Sequence, residues 1–124
     1  MAWIFSTTTK NARAAAITSQ IGVGGRLIIY TTAYATVLAT YTWSGNMFGA
    51  PVNGVITSID PIVNPILPIA AGVAAIARIA KADGTTFIVS GLSVGMSGAD
   101  IIVNNDTFVL TSGITLGSIT ITEG

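Results

Sequence analysis

The chain has 124 residues, enough for one compact domain with a core of its own and too few for two. Its five Lys and Arg residues cancel its five Asp and Glu residues, so the net charge is zero and no net field draws in a polyanion; nucleic acid is an unexpected partner. Only 8% of residues are charged, while 51% are hydrophobic, and the mean hydropathy is +0.75. Soluble domains usually carry charge on roughly a quarter of their residues. A small neutral domain of this composition exposes apolar surface that needs covering, so obligate assembly is expected.

Neither cysteine nor histidine is present, which removes disulfides, thiolate chemistry and the usual transition-metal ligands. The acidic residues stand singly, leaving no pair for general acid and base work; no cofactor, metal or small-molecule substrate is expected. Met1-Ala2-Trp3-Ile4-Phe5 lacks a basic n-region and turns polar at Ser6, unlike a secretory signal. Ile62 to Ala77 is nearly all apolar, but it falls short of the ~20 residues that a membrane-crossing helix needs. Asn64, Pro65 and Pro68 also interrupt it, so a membrane-active role is the weaker reading.

In chain order, residues 1–8 read as an N-terminal arm and 9–22 as a helix. Thr7 to Thr9 offer capping hydroxyls, Lys10 to Ile21 is alanine-rich, and Gly22 supplies a stop. Ala14, Ile17 and Ile21 form its narrow apolar stripe. Residues 26–122 then read as a β-rich body. Arg26 to Thr32 is a β-branched and aromatic strand, and Val37 to Trp43 is the next, with Val37, Ala39, Tyr41 and Trp43 assigned to the core face. Gly45 to Gly54 is a loop, Val55 to Ile59 a short strand, and Asp60 to Pro68 is too proline-rich for a place inside a sheet, so it belongs at an edge or on the surface.

A hairpin follows, with strands Val73 to Lys81 and Thr86 to Leu92 about an Asp83-Gly84 turn of type I′. Its apolar residues fall on both faces: Val73, Ala75, Ala77 and Ile79 against Ile76 and Ala80, then Phe87 and Val89 against Ile88. One face fits the domain's second sheet and the other a subunit interface. Ile76, Phe87 and Ile88 are therefore candidate contact residues, together with Trp3, Ile4 and Phe5, whose size makes a dangling terminus unfavourable. Gly91 to Gly98 reads as a turn, and short strands are expected at Ile101 to Val103, Phe108 to Thr111 and Ser118 to Thr122. The whole is a mainly β, single-domain antiparallel β-sandwich, jelly-roll-like, with a short N-terminal helix.

Motifs for chemistry do not survive inspection. Gly91-Leu92-Ser93-Val94-Gly95 matches a nucleophile elbow, but no histidine exists to take the serine proton. Gly22-Val23-Gly24-Gly25 follows a helix and precedes a strand, the reverse of a phosphate-binding order. Asp100, Asn104, Asn105 and Asp106 lack calcium-loop spacing and read as turn residues. The chain is expected not to be an enzyme.

Lys10-Asn11-Ala12-Arg13 through Ala16-Ile17 to Ile21-Gly22, followed by Leu27-Ile28-Ile29-Tyr30, resembles the opening of small structural proteins of tailed bacteriophages. Ala77-Arg78-Ile79, Asp83-Gly84-Thr85, Gly91 and Ser97-Gly98-Ala99-Asp100 resemble their central hairpin and the turn after it; Asp60 to Pro68 has no counterpart there. The resemblance implies a virion component, assembled in the host cytoplasm, whose partners are copies of itself and a major capsid protein. A capsid decoration or cement protein is the expected role, with a tail, baseplate or fibre adaptor as the alternative.

Overall fold

A computed structural model of the chain describes residues 6–59, 61–117 and 119–122. Trp3, Ile4 and Phe5 lie outside the described residues. The protein is mainly β, with one helix, α1 (Thr7–Ile21). The helix begins earlier than the alanine run suggests because Ser6, not a threonine, is its N-cap: the Ser6 hydroxyl accepts a hydrogen bond from the Thr9 N–H at 3.2 Å. It ends where Gly22, at φ 74°, donates its N–H to the Thr18 carbonyl. Ala14 and Ile21 are buried and Ile17 packs beside them, so the expected stripe is the face that meets the core.

Five strands form the main sheet, in the order β2 (Val37–Thr42), β1 (Arg26–Tyr30), β5 (Ile76–Ala80), β6 (Phe87–Gly95) and β7 (Ile101–Ile102). The β6–β7 pair is parallel, which departs from the all-antiparallel expectation. Two short antiparallel ladders, β3 (Val55–Thr57) with β9 (Thr120–Thr122) and β4 (Gly72–Val73) with β8 (Thr107–Phe108), lie outside the main sheet, and isolated bridges such as Ile66 with Ile114 add to them. One core cluster joins Leu27 and Ile29 of the sheet to Ile21 of the helix, Ile56 of β3 and Phe108 of β8. Helix and ladders together thus take the place that a second full sheet holds in a sandwich.

β1 is buried from Leu27 to Tyr30 because it sits inside the sheet with cover on both faces. Leu27 and Ile29 enter the main core; Ile28 and Tyr30 enter a second, smaller cluster with Ala80, Tyr34 and Ile76. Strict alternation fails in its neighbour β2. Ile29 pairs with Ala39 and Tyr30 with Val37, so Leu38 is an extra residue, a β-bulge. The bulge turns Leu38 into the core beside Ala39 and leaves Val37 exposed, correcting the core place expected for Val37. Burying a leucine side chain contributes about 1.5–3 kcal/mol, which favours the bulge over continuous pairing.

The hairpin is present but differs in detail. Its first arm is broken: Val73 lies exposed in β4, Ala74 enters the core, and β5 starts at Ile76. Across from it, Ile79 pairs with Val89 and Ala80 with Phe87, so Ile88 is a bulged residue. Phe87 consequently shares the outer face with Ala80 and Ile88 packs on the main core, both departing from the expected alternation, while Val89 keeps its place beside Ile79. β6 also runs through Gly91, which holds φ 76°, and reaches Gly95; the expected turn is confined to the residues after it. At the hairpin end only Gly84 has positive φ, so the turn is not type I′. Gly84 N–H closes on the Lys81 carbonyl, and the Asp83 carboxylate accepts from Thr85 N–H, Thr86 N–H and the Thr86 hydroxyl.

Those bonds act only on the ionised carboxylate, first that of the Thr86 hydroxyl and then those of the Thr86 and Thr85 amides, lowering the Asp83 pKa from the ordinary 3.8 to about 2. The folded value lies below the unfolded one, so this support for the turn is complete above 3.8 and disappears as pH falls through about 2. A carboxyl-carbon NMR titration of Asp83 should find the depressed midpoint; a midpoint at the ordinary value would show that the turn bonds do not form.

Gly25 joins helix to sheet at the closest approach in this part of the fold. A Cβ there would stand 2.4 Å from Ile21 Cγ2 and 3.3 Å from Met47 Cε. Because the Ile21 methyl is β-branched and buried, it has little room to yield. Gly25→Ala should therefore cost roughly 1–3 kcal/mol of stability in urea unfolding, and an unchanged midpoint would refute this packing.

Candidate functional site

Ile59 and residues 61–70 form a strap across the open edge of β2. Ile62 N–H donates to the Thr42 carbonyl at 2.9 Å, and Ile69 N–H donates to the Leu38 carbonyl at 2.8 Å, so the strap runs antiparallel to that strand. Its other side is held by residues 114–116. Ile66 and Ile114 exchange both backbone bonds, and the Asn64 side chain imitates a peptide by donating to the Leu116 carbonyl and accepting from its N–H, each at 3.0 Å. At its start, the Trp43 indole N–H donates to the Ile59 carbonyl. The edge position expected of this proline-rich segment is the one it holds. Prolines suit it, since Pro65 and Pro68 fall where no ladder hydrogen bond needs a donor.

From Ile66 to Ala70 burial alternates, which gives this part of the strap two faces. Ile66, Pro68 and Ala70 turn inward, with Pro68 buried. Leu67 and Ile69 turn outward, 58% and 70% exposed, and Ile62 and Val63 are exposed as well. Between the strap and β2, Thr40, Thr42 and Ile66 help to line an apolar groove of about 140 Å³. Elsewhere Val73, Val109 and Leu110, on and after the β4–β8 ladder, are also exposed. Composition predicts apolar surface of this kind, and the proline-rich pattern predicts the edge position, but neither says which of the strap's side chains face outward.

The outer face of the sheet is built differently. Register places Thr40, Ile28 and Arg78 in one row, and Thr42, Arg26, Ala80 and Phe87 in the next. The Arg78 guanidinium lies 3.8 Å from the Tyr34 ring centroid, 4.1 Å from that of Phe87 and 4.9 Å from that of Tyr30. Each ring attracts the cation through its negative face, and together they cover the planar group. Tyr30 and Tyr34 meet edge to face at 5.2 Å. Ala33 and Tyr34 hold φ of 59° and 58°, a left-handed pair that costs on the order of 1–3 kcal/mol per residue. That turn brings the Tyr34 hydroxyl to the Gly91 N–H, which donates to it at 2.9 Å.

Of the sequence-selected contact residues, the structure brings Ile76 and Phe87 to this face, Phe87 over Arg78 and Ile76 beside Tyr30, whereas Ile88 belongs to the main core. Arg78 was missed. Basic residues far apart in sequence read as scattered, and only the hairpin register sets Arg26 and Arg78 on one face with Lys81 just beyond.

The chemical motifs settle into structure. Ser93 donates its N–H and hydroxyl to Asp100 Oδ2 at 3.0 and 3.2 Å, and its oxygen accepts from the Asp100 N–H, a closed ring that ties β6 to the turn before β7. Asn105 accepts from Thr107 N–H, a turn contact, whereas Asn104 accepts from Thr115 N–H and ties its segment to one eleven residues on, beyond the turn role expected of it. An open groove of about 260 Å³ between α1 and residues 46–51 is lined by groups such as Thr18, Ser19, Asn46 and Phe48, none of them titratable. No grouping of three or more potential metal ligands occurs among the described residues. No helix among them is long and apolar enough to cross a membrane, and Ile62–Ala77 is divided among the strap, β4 and β5. No protein-family model, curated protein or solved structure matches the chain.

Asn64→Ala should expose the fastening of the strap. Both Leu116 backbone groups lose their partner, so stability should fall by about 1–3 kcal/mol, with faster amide exchange at Leu116. Unaltered exchange at that amide would mean that the strap is held by other contacts.

Proposed function

We propose that the chain is a non-catalytic structural subunit that works by cohesion with its neighbours, as a decoration or cement protein on the head of a tailed bacteriophage. The observation that carries this reading is the doubly apolar strap, whose inner side chains complete the core while Leu67 and Ile69 stand in solvent. A lone monomer gains nothing from that outward row, and contiguous exposed apolar surface of this kind usually marks a protein contact. Covering it against a copy of the chain or a shell protein stabilises by about 25 cal/mol per Å² of apolar area removed from water. The neutral surface adds no long-range repulsion between copies. The resemblance to small phage structural proteins supplies the setting, a virion shell in which copies of the chain and a major capsid protein are the partners.

The absence of histidine and cysteine and the consumption of Ser93 by Asp100 support a role without catalysis. Electron microscopy with mass-spectrometric counting of purified particles tests the setting. The expected result is density on the outer head surface at a copy number that follows the capsid lattice. A few copies confined to the tail would overturn the cement role in favour of an adaptor.

The cohesive face can be tested apart from any particle. In sedimentation analysis the protein should self-associate, and a Leu67→Lys, Ile69→Lys double variant should shift to monomer with an unchanged circular dichroism spectrum. Full association by the variant would sink the strap as the contact.

A further inference from the structure

The arginine face of the sheet carries a second recognition element. Arg26 and Arg78 occupy diagonal positions on the outer face, Arg26 opposite Ala80 and Arg78 opposite Ile28. Arg26 reaches towards the hairpin turn, its Nη1 3.4 Å from where a Cβ on Gly84 would stand. Neither arginine has an ion pair among the described residues, and the Nε of each is buried without an acceptor. The nearby carboxylates are already committed: Asp83 serves Thr85 and Thr86, and Asp100 serves Ser93. Lys81 is exposed just beyond the end of β5, and among the described residues no ion pair neutralises this cationic end of the sheet.

The setting selects the kind of anion. Tyr34 and Phe87 take up the faces of the Arg78 guanidinium, leaving its in-plane edge to form hydrogen bonds, the geometry that suits a planar carboxylate. Tyr34 is held there by a left-handed backbone and by its bond to Gly91, so the clamp is set before any ligand arrives. The walls are aromatic and aliphatic, with Ile28, Tyr30 and Ile76 around the base. A chain of zero net charge offers no extended field for a polyphosphate, while a single carboxylate set in an apolar contact matches both cation and walls. We infer that the Arg78 clamp, with Arg26 beside it, docks an acidic side chain, Asp or Glu, on an apolar segment of a partner protein.

This rests on the assembly reading only in taking the partner to be a protein, and it fails or stands separately: sedimentation of the chain alone reports on the strap. The test is an NMR titration of the full ¹⁵N-labelled chain, following the arginine Nε–H signals. The probes are a short apolar peptide containing Glu, the same peptide with Gln, inorganic phosphate, a DNA oligonucleotide and anionic phosphatidylserine vesicles. The Glu peptide should shift the Arg78 and Arg26 signals and the Gln peptide should not. Arg78→Lys, which keeps the charge but not the planar fork, should weaken binding about tenfold or more. If that variant unfolds, Phe87→Leu removes one wall of the clamp at a partly exposed position and should weaken binding as well. No shift with the Glu peptide, equal shifts with Gln, phosphate, DNA or vesicles, or undiminished binding by a folded variant would overturn the assignment.

Discussion

Strand β1 lies inside the sheet with apolar cover on both faces, and the rest of the molecule is arranged to provide that cover. Leu27 and Ile29 need a core on one side, which α1, the two short ladders and the 114–116 segment supply. Ile28 and Tyr30 need cover on the other, where among the described residues no α-helix or second sheet is packed. Tyr34, Ile76 and Ala80 provide it, and the long side chain of Arg78 lies over them with its charged head between rings. The outer face is thus sealed by a cation rather than by a helix. The side chain that completes the packing is also one that presents hydrogen-bond donors to the outside.

The same economy governs the sheet's edge. β2 would present unpaired backbone groups, a template for uncontrolled association. The strap covers them through Ile62 and Ile69, with prolines where no donor is required. Its burial alternates from Ile66 to Ala70, so it does not hide all its side chains: Ile66 and Pro68 turn inward and Leu67 and Ile69 outward. Edge protection and an exposed apolar row are therefore two sides of one segment. Association is redirected from backbone pairing, which any strand could join, to side-chain packing, which depends on shape.

Much of the fold was legible in local pattern. The stripe Ala14, Ile17, Ile21 set the helix face, Gly22 set its end, and the β-branched run from Arg26 to Thr32 marked a strand, whose burial on both faces only the sheet order revealed. Asp83-Gly84 located the hairpin, although the turn uses a single left-handed residue and an Asp side chain in place of a type I′ pair. Errors fall where residues were assigned to faces. Leu38 and Ile88 are bulged, and an extra residue shifts everything beyond it to the other side, so period-two reasoning misplaced Val37, Phe87 and Ile88. Bulges come from packing against distant strands, which no local window contains.

The functional surfaces divide in the same way. Scant charge and high apolar content are properties of the whole chain, and they required exposed apolar surface somewhere before any fold was known. By itself the sequence also determined the helix, the central strand, the hairpin's place and the lack of imidazole and thiol groups, because these depend on neighbouring residues or on composition alone. Only the tertiary structure decided which hydrophobic side chains stay in water and which cations meet. The strap's faces depend on hydrogen bonds from Asn64 to Leu116, and the arginine clamp on a register that sets Tyr30 and Tyr34 beside Arg78 and Phe87. Contacts between residues dozens of positions apart are fixed by the free energy of the whole packed chain, and no local stretch encodes them.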